Sequence, residues 1–159
     1  MAYANTLGFE RFPLHSLPEM QAFDTILELY FSKTKNSKLP TWKDFDFSEF
    51  VGWHARVALS KREGDDFRFR IFGSAFVEVF AADLTGKSLT EMMAPQHLVY
   101  AQQHFKKLIE GPFVGLGKGQ VPVAHREFVK FQVLHLPLSD VSVNLDYIIH
   151  VLGPNIVAA

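Results

Sequence analysis

The stretch Asp66–Leu89 reads DFRFRIFGSAFVEVFAADLTGKSL, and it holds a strand, a break, a helix and a closing turn in succession. Phe67, Phe69 and Ile71 alternate with Arg68 and Arg70, the period of a half-buried strand. Gly73 interrupts that period, and Ser74 is placed to cap a helix starting there. Phe76, Val79 and Phe80 then recur at helical spacing. Asp83–Gly86 has turn chemistry. A short strand that runs into a short helix over a Phe-rich surface fits a small sensing domain better than an enzyme.

Upstream, Trp53, Ala55, Val57 and Leu59 alternate and predict a strand ending near Arg62, paired back through a hairpin at Glu63–Asp66. Asp44–Phe50 has room for a short helix, and residues 35–40 read as a linker. Before it, Phe23, Ile26, Leu27, Tyr30 and Phe31 form one stripe, which predicts an amphipathic helix from Glu19 to about Lys33. Ser16 and Glu19 form a capping-box pattern ahead of it. Met1–Leu14 shows no clear period. Downstream, Ser88 and Glu91 make a second capping box. Pro95 then opens a longer helix to about Glu110, its core face carrying Leu98, Ala101, Phe105, Leu108 and Ile109. Pro112–Gly119, rich in glycine, reads as a flexible edge strand or loop. Glu127–Leu138 and Val143–Leu152 are the closing strands. Helices in the middle and strands at both ends predict an α+β fold with an antiparallel sheet and helices on one face. The stripe from Phe23 to Phe31 must then cover the other sheet face or meet a second copy of itself.

Composition narrows the function. The chain has 159 residues and a formal net charge of −1, with no basic cluster, which argues against nucleic-acid binding. The absence of cysteine removes disulfides, thiol catalysis and thiolate metal sites. There is no signal-peptide pattern, and no run approaches ~18 apolar residues, so membrane insertion is not expected and the default is a cytoplasmic protein. Sixteen phenylalanines fit a tight core or a core with an apolar hollow, and composition does not separate the two.

Two motifs mislead. Ala81–Ser88, AADLTGKS, fits a relaxed phosphate-loop pattern, but a helical segment precedes it where a buried strand is required, so a turn is the better reading. Gly115, Gly117 and Gly119 come after a helix, the reverse of a dinucleotide loop. Seven histidines are scattered, with His97 and His104 two turns apart on the long helix and His125, His135 and His150 on or beside strands. No catalytic constellation emerges, and no metal site is assigned.

LPTWKDFDF from Leu39, FRFRIFGSAFVEVFAADLTGKSL from Phe67 and LPLSD from Leu136 together resemble the PAS domain superfamily, most closely a proteobacterial subgroup of stand-alone PAS-like proteins. The resemblance covers about residues 39–152. It implies a five-stranded antiparallel sheet with a helical flank, and ligands or cofactors held between the two. It also implies an N-terminal helix that mediates dimer contact. The expected division is an N-terminal segment and helix over residues 1–38 and a PAS-like domain over residues 39–153. Haem through His104 or His97, and flavin as a redox cofactor, stay open without being indicated; cysteine-based flavin photochemistry is excluded.

The leading expectation is a single-domain sensory or signal-relay module, a homodimer that binds a small apolar ligand and acts on a separate effector protein. Strand parity and helix face give Phe69, Phe80, Tyr100, His104, Phe131 and Tyr147 as the candidate pocket. Phe23, Ile26, Leu27, Tyr30 and Phe31 are the candidate dimer surface. The alternatives are a ligand-free interaction module and, third, an enzyme on a cone-like α+β scaffold.

Overall fold

Alternating Phe and Arg residues on β3 (Asp66–Phe72) pair antiparallel with β2 (Val57–Glu63) across a turn in which Gly64 takes a positive φ of 64°. This hairpin forms one edge of the sheet in the computed structural model, which describes residues 8–35, 38–120, 129–154 and 157–158. The remaining strands are β1 (Gly8–Pro13), β4 (Phe113–Gln120), β5 (Val129–Asp140), β6 (Leu145–Leu152) and the two-residue β7 (Val157–Ala158). They pair antiparallel in the order β1-β4-β5-β6-β2-β3, with β7 against β5. The sheet is thus the expected antiparallel one, enlarged beyond five strands by the two-residue β7 and by β1. That strand carries no clear sequence signal because Phe9 and Phe12 are three residues apart. They point to opposite faces of a sheet edge, so no period of two is visible.

Helices α2 (Ser74–Phe80), α3 (Leu89–Met92) and α4 (Pro95–Glu110) cover one face. Ser88 and Glu91 cap α3 reciprocally, and Pro95 occupies the first turn of α4, both as the sequence predicts. Gly73, not Ser74, is the cap of α2. Under these helices lies a core of Phe67, Phe69, Phe72, Phe76, Phe80, Phe105 and Phe131 with aliphatic partners. Phe67, Phe69 and Ile71 do not keep one parity. A bulge opposite Leu59 and Ser60 inserts Arg70 as an extra residue, so Ile71 turns to the far face and Phe72 back to the helices.

Helix α1 (Asp24–Ser32) covers that far face. It is entered through a 3₁₀ turn at Gln21–Phe23, and no side chain caps it, so the Ser16–Glu19 box is not used. Phe23, Ile26 and Tyr30 are buried against Leu134, Leu136, Leu138, Ile149 and Val151 in a second core. Segment 42–56 completes this layer as 3₁₀ turns instead of one helix and a strand start. Trp53 leaves strand geometry in order to stack on Phe23, ring centroids 6.1 Å apart, and to donate its Nε1–H to Thr25 Oγ1 at 2.9 Å. The glycine-rich segment 113–120 is an interior strand between β1 and β5, not a loop or an edge.

The Tyr30 hydroxyl donates to the Pro137 carbonyl at 2.7 Å, and burial raises its pKa well above the ordinary value. Replacing Tyr30 with Phe removes that donor and leaves a buried carbonyl unpaired. We expect a loss of about 1–2 kcal/mol, read as a lower urea midpoint. An unchanged midpoint would show that the bond adds nothing.

Candidate functional site

The helix-side core is apolar except for one cluster. His104 on α4, His135 on β5, His150 on β6 and Ser60 on β2 are all buried there. His135 and His150 face each other across paired strands, with Nδ1 to Nδ1 at 2.7 Å. His150 Nε2 meets Ser60 Oγ at 2.7 Å. The imidazole of His104 lies with its ring centre 6.0 Å from that of His135, and Phe9 stacks on it at 4.1 Å. Phe105 fills the space beside both strand histidines, 5.1 Å from His135 and 5.3 Å from His150.

Two glycines make this possible. A Cβ on Gly115 would lie 2.8 Å from Leu108 and 3.1 Å from His104 Nε2; one on Gly117 would lie 3.0 Å from His135 Nε2 and 3.3 Å from Phe9. The rings occupy the volume that side chains at those two positions of β4 would fill. Gly115 and Gly117 of the false dinucleotide loop therefore serve close approach.

Burial keeps all three rings neutral. It lowers His104 to about 3, aided by the charges of Arg11 and Lys107. It also lowers His150 to about 3, aided by His104, and holds His135 well below the ordinary value, aided by both neighbours. A neutral imidazole has one N–H and one bare nitrogen, so the contacts are coupled. If His150 Nδ1 donates to His135, Ser60 donates to His150, and His135 Nε2 carries an unpaired N–H. If His135 donates, His150 donates to Ser60, and His135 Nε2 is an unpaired acceptor. In either tautomer His135 Nε2 and His104 Nε2 are buried without a hydrogen-bond partner. The chain from Ser60 thus decides whether the cluster offers a donor or an acceptor.

Next to it, Phe9, Phe69, Phe72, Phe76, Phe80, Phe105 and His150 border an interior void of ≈ 10 Å3, room for one water. No porphyrin or flavin ring fits that volume in this conformation. Among the described residues, no group of three or more His, Cys, Asp or Glu side chains is arranged to hold a metal.

Of the candidate pocket residues, Phe69, Phe80, Phe131 and His104 share this compartment. Tyr100 stands at its outer rim, 55% exposed, with its ring 5.6 Å from Phe9. Tyr147 lies on the opposite sheet face with the α1 core, because β6 directs Ile148, His150 and Leu152 to the helices and its odd-numbered residues away. In the α1 stripe, Phe23, Ile26 and Tyr30 are turned inward, while Leu27 and Phe31 are half-buried at the margin of the same core. Phe9 and Ser60 carry no sequence signal for their part in the site. His135 and His150 do, as buried-parity residues of two long strands, but only their pairing joins them.

The false phosphate loop is a turn. The Gly86 N–H donates to the Phe69 carbonyl at 2.8 Å, the Phe69 N–H returns to Lys87, and Arg68 ties the turn down through Gly86 O and Glu91. Gly86 N–H is therefore committed to β3, not turned towards a phosphate.

An antiparallel sheet with α2, α3 and α4 packed over one face and a buried compartment between them is the arrangement the sequence resemblance implies. A comparison of the chain with protein families matches the PAS domain over residues 20–152, a span that takes in α1 to α4 and β2 to β6. The chain belongs to the PAS domain family. PAS modules in general are sensory or interaction modules rather than enzymes. A search of curated proteins finds no match. No described helix of this PAS module is long and apolar enough to cross a membrane.

Proposed function

We propose that this PAS module is a sensory or signal-relay unit whose receiving part is the His104–His135–His150 compartment. The observation that carries this reading is the pair of buried, unpartnered imidazole nitrogens in an otherwise apolar core. Each such atom costs about 1–3 kcal/mol, and apolar residues of similar volume would avoid that cost. A small polar guest that bonds to His104 Nε2 or His135 Nε2 recovers it. The guest then favours whichever arrangement of α4, β1 and the sheet gives it room, and a partner protein reads that shift. The void accommodates one water, so any larger guest requires Phe9 or α4 to move.

The same small void supports a second reading, a ligand-free interaction module. Thermal melts and long-range ¹H–¹⁵N spectra of the imidazoles separate the two, with ammonia, formamide and imidazole as probes. The sensory reading expects at least one probe to raise the melting temperature and shift the His104 or His135 resonances together. If all three leave both unchanged, the compartment is closed to guests and the interaction reading stands.

A further inference from the structure

We propose that the groove between β1 and α4 binds a small organic carboxylate that carries a flat ring. The site lies on the outer side of the Phe9–His104 stack and stands whether or not any guest reaches the interior. Its volume is ≈ 240 Å3, and it is lined by Phe9 and Arg11 from β1 and by Tyr100, Gln103, His104 and Lys107 from α4. The placement comes from two periods. Phe9 and Arg11 are two residues apart on one strand face. Tyr100, Gln103, His104 and Lys107 recur at three- and four-residue spacing on one helix ridge.

Two cations, Arg11 and Lys107, line the groove together. Lys33, Arg62, Arg68, Lys106 and Lys118 each reach a carboxylate. Among the described residues Arg11 and Lys107 form no ion pair, and no carboxylate lines the groove. Burial disfavours protonation of His104, and both charges add to that effect. Arg11 is held over the Phe113 ring at 5.8 Å, which orders its guanidinium before any anion arrives. A planar carboxylate matches the guanidinium fork, and Lys107, Gln103 and the Tyr100 hydroxyl supply further donors. The ring preference comes from the walls. Phe9 and Tyr100, tilted 35° to one another with centroids 5.6 Å apart, offer aromatic faces beside the cations.

The test uses the whole chain with benzoate, benzamide and inorganic phosphate as probes. It is read by calorimetry and by the His104 imidazole resonance, which reports from inside the groove. Benzoate is expected to saturate the site with a Kd of about 1 mM, a modest value for so open a groove. Benzamide, the neutral analogue, is expected not to bind, and phosphate to bind about tenfold more weakly or worse. Arg11→Gln and Lys107→Gln alter side chains at the groove and should leave the melting temperature unchanged while weakening benzoate about tenfold each. The proposal is overturned by any of four results: no saturable benzoate binding, equal binding of benzamide, unchanged affinity in both variants, or phosphate binding as tightly as benzoate.

Discussion

Lowering the pH from about 7 to about 5 is expected to destabilise the folded chain by roughly 6 kcal/mol, through three histidines. Proton counts give the sign. His104 and His150 are held near 3 and His135 well below its ordinary value, so the native state binds no proton at these rings in that window. The unfolded chain titrates near pH 6.5 and takes up a proton at each. Their contribution is therefore present above about pH 6.5 and is lost as the pH falls below it, by about 2 kcal/mol per ring at pH 5. Asp46, Glu49, Asp66, Asp83 and Glu91 are shifted downwards, so their losses set in only from about pH 5 downwards and leave most of the window to the histidines. Urea unfolding followed by tryptophan fluorescence at pH 7, 6 and 5 measures the slope. His104→Leu should remove about a third of it, since the ring is replaced by an apolar group of similar volume. A stability that stays flat from pH 7 to 5 would mean that these rings are not buried and neutral.

Replacing Gly73 with Ala is expected to cost about 3 kcal/mol or more, a large effect for a single methyl group. The backbone angles are not the reason, since φ −58° and ψ 154° suit any residue. The obstacle is distance. A Cβ at Gly73 would lie 2.5 Å from the Ala55 carbonyl oxygen and 2.7 Å from that of Val57. Both are backbone atoms, and the Gly73 N–H is itself bonded to Val57 O at 3.0 Å, so the chain cannot step aside without losing the start of α2. Reduced freedom of the unfolded chain offsets only about 0.4–1 kcal/mol. Gly8→Ala is the control, since nothing lies within 4 Å of its Cβ position, and it should stay within about 0.5 kcal/mol of the parent. Equal urea midpoints for the two variants would rule out the close approach at Gly73.

Much of the helix layer is legible from spacing. Phe76, Val79 and Phe80 on α2, the Ser88–Glu91 box and the Pro95 start of α4 are signals within one or two turns of chain, and each appears where its spacing puts it. The site is less legible. His104 is placed on the helix side by α4, but the other members of the cluster and the stacked Phe9 come from β1, β2, β5 and β6. Strand parity alone puts Tyr147 on the wrong face, and the parity of β3 reverses at Arg70, since neither a sheet face nor a bulge is marked by local composition.

Residue order by itself determined the α+β class, the hairpin at Asp66 and the amphipathic faces of α1 and α4, because hydrophobic period is a property of neighbouring residues. Only the tertiary structure decided that β1 joins the sheet, that Gly115 and Gly117 leave room for two imidazoles, and that His135 meets His150. Those outcomes depend on which strands lie side by side, and on the volume left between layers once they do.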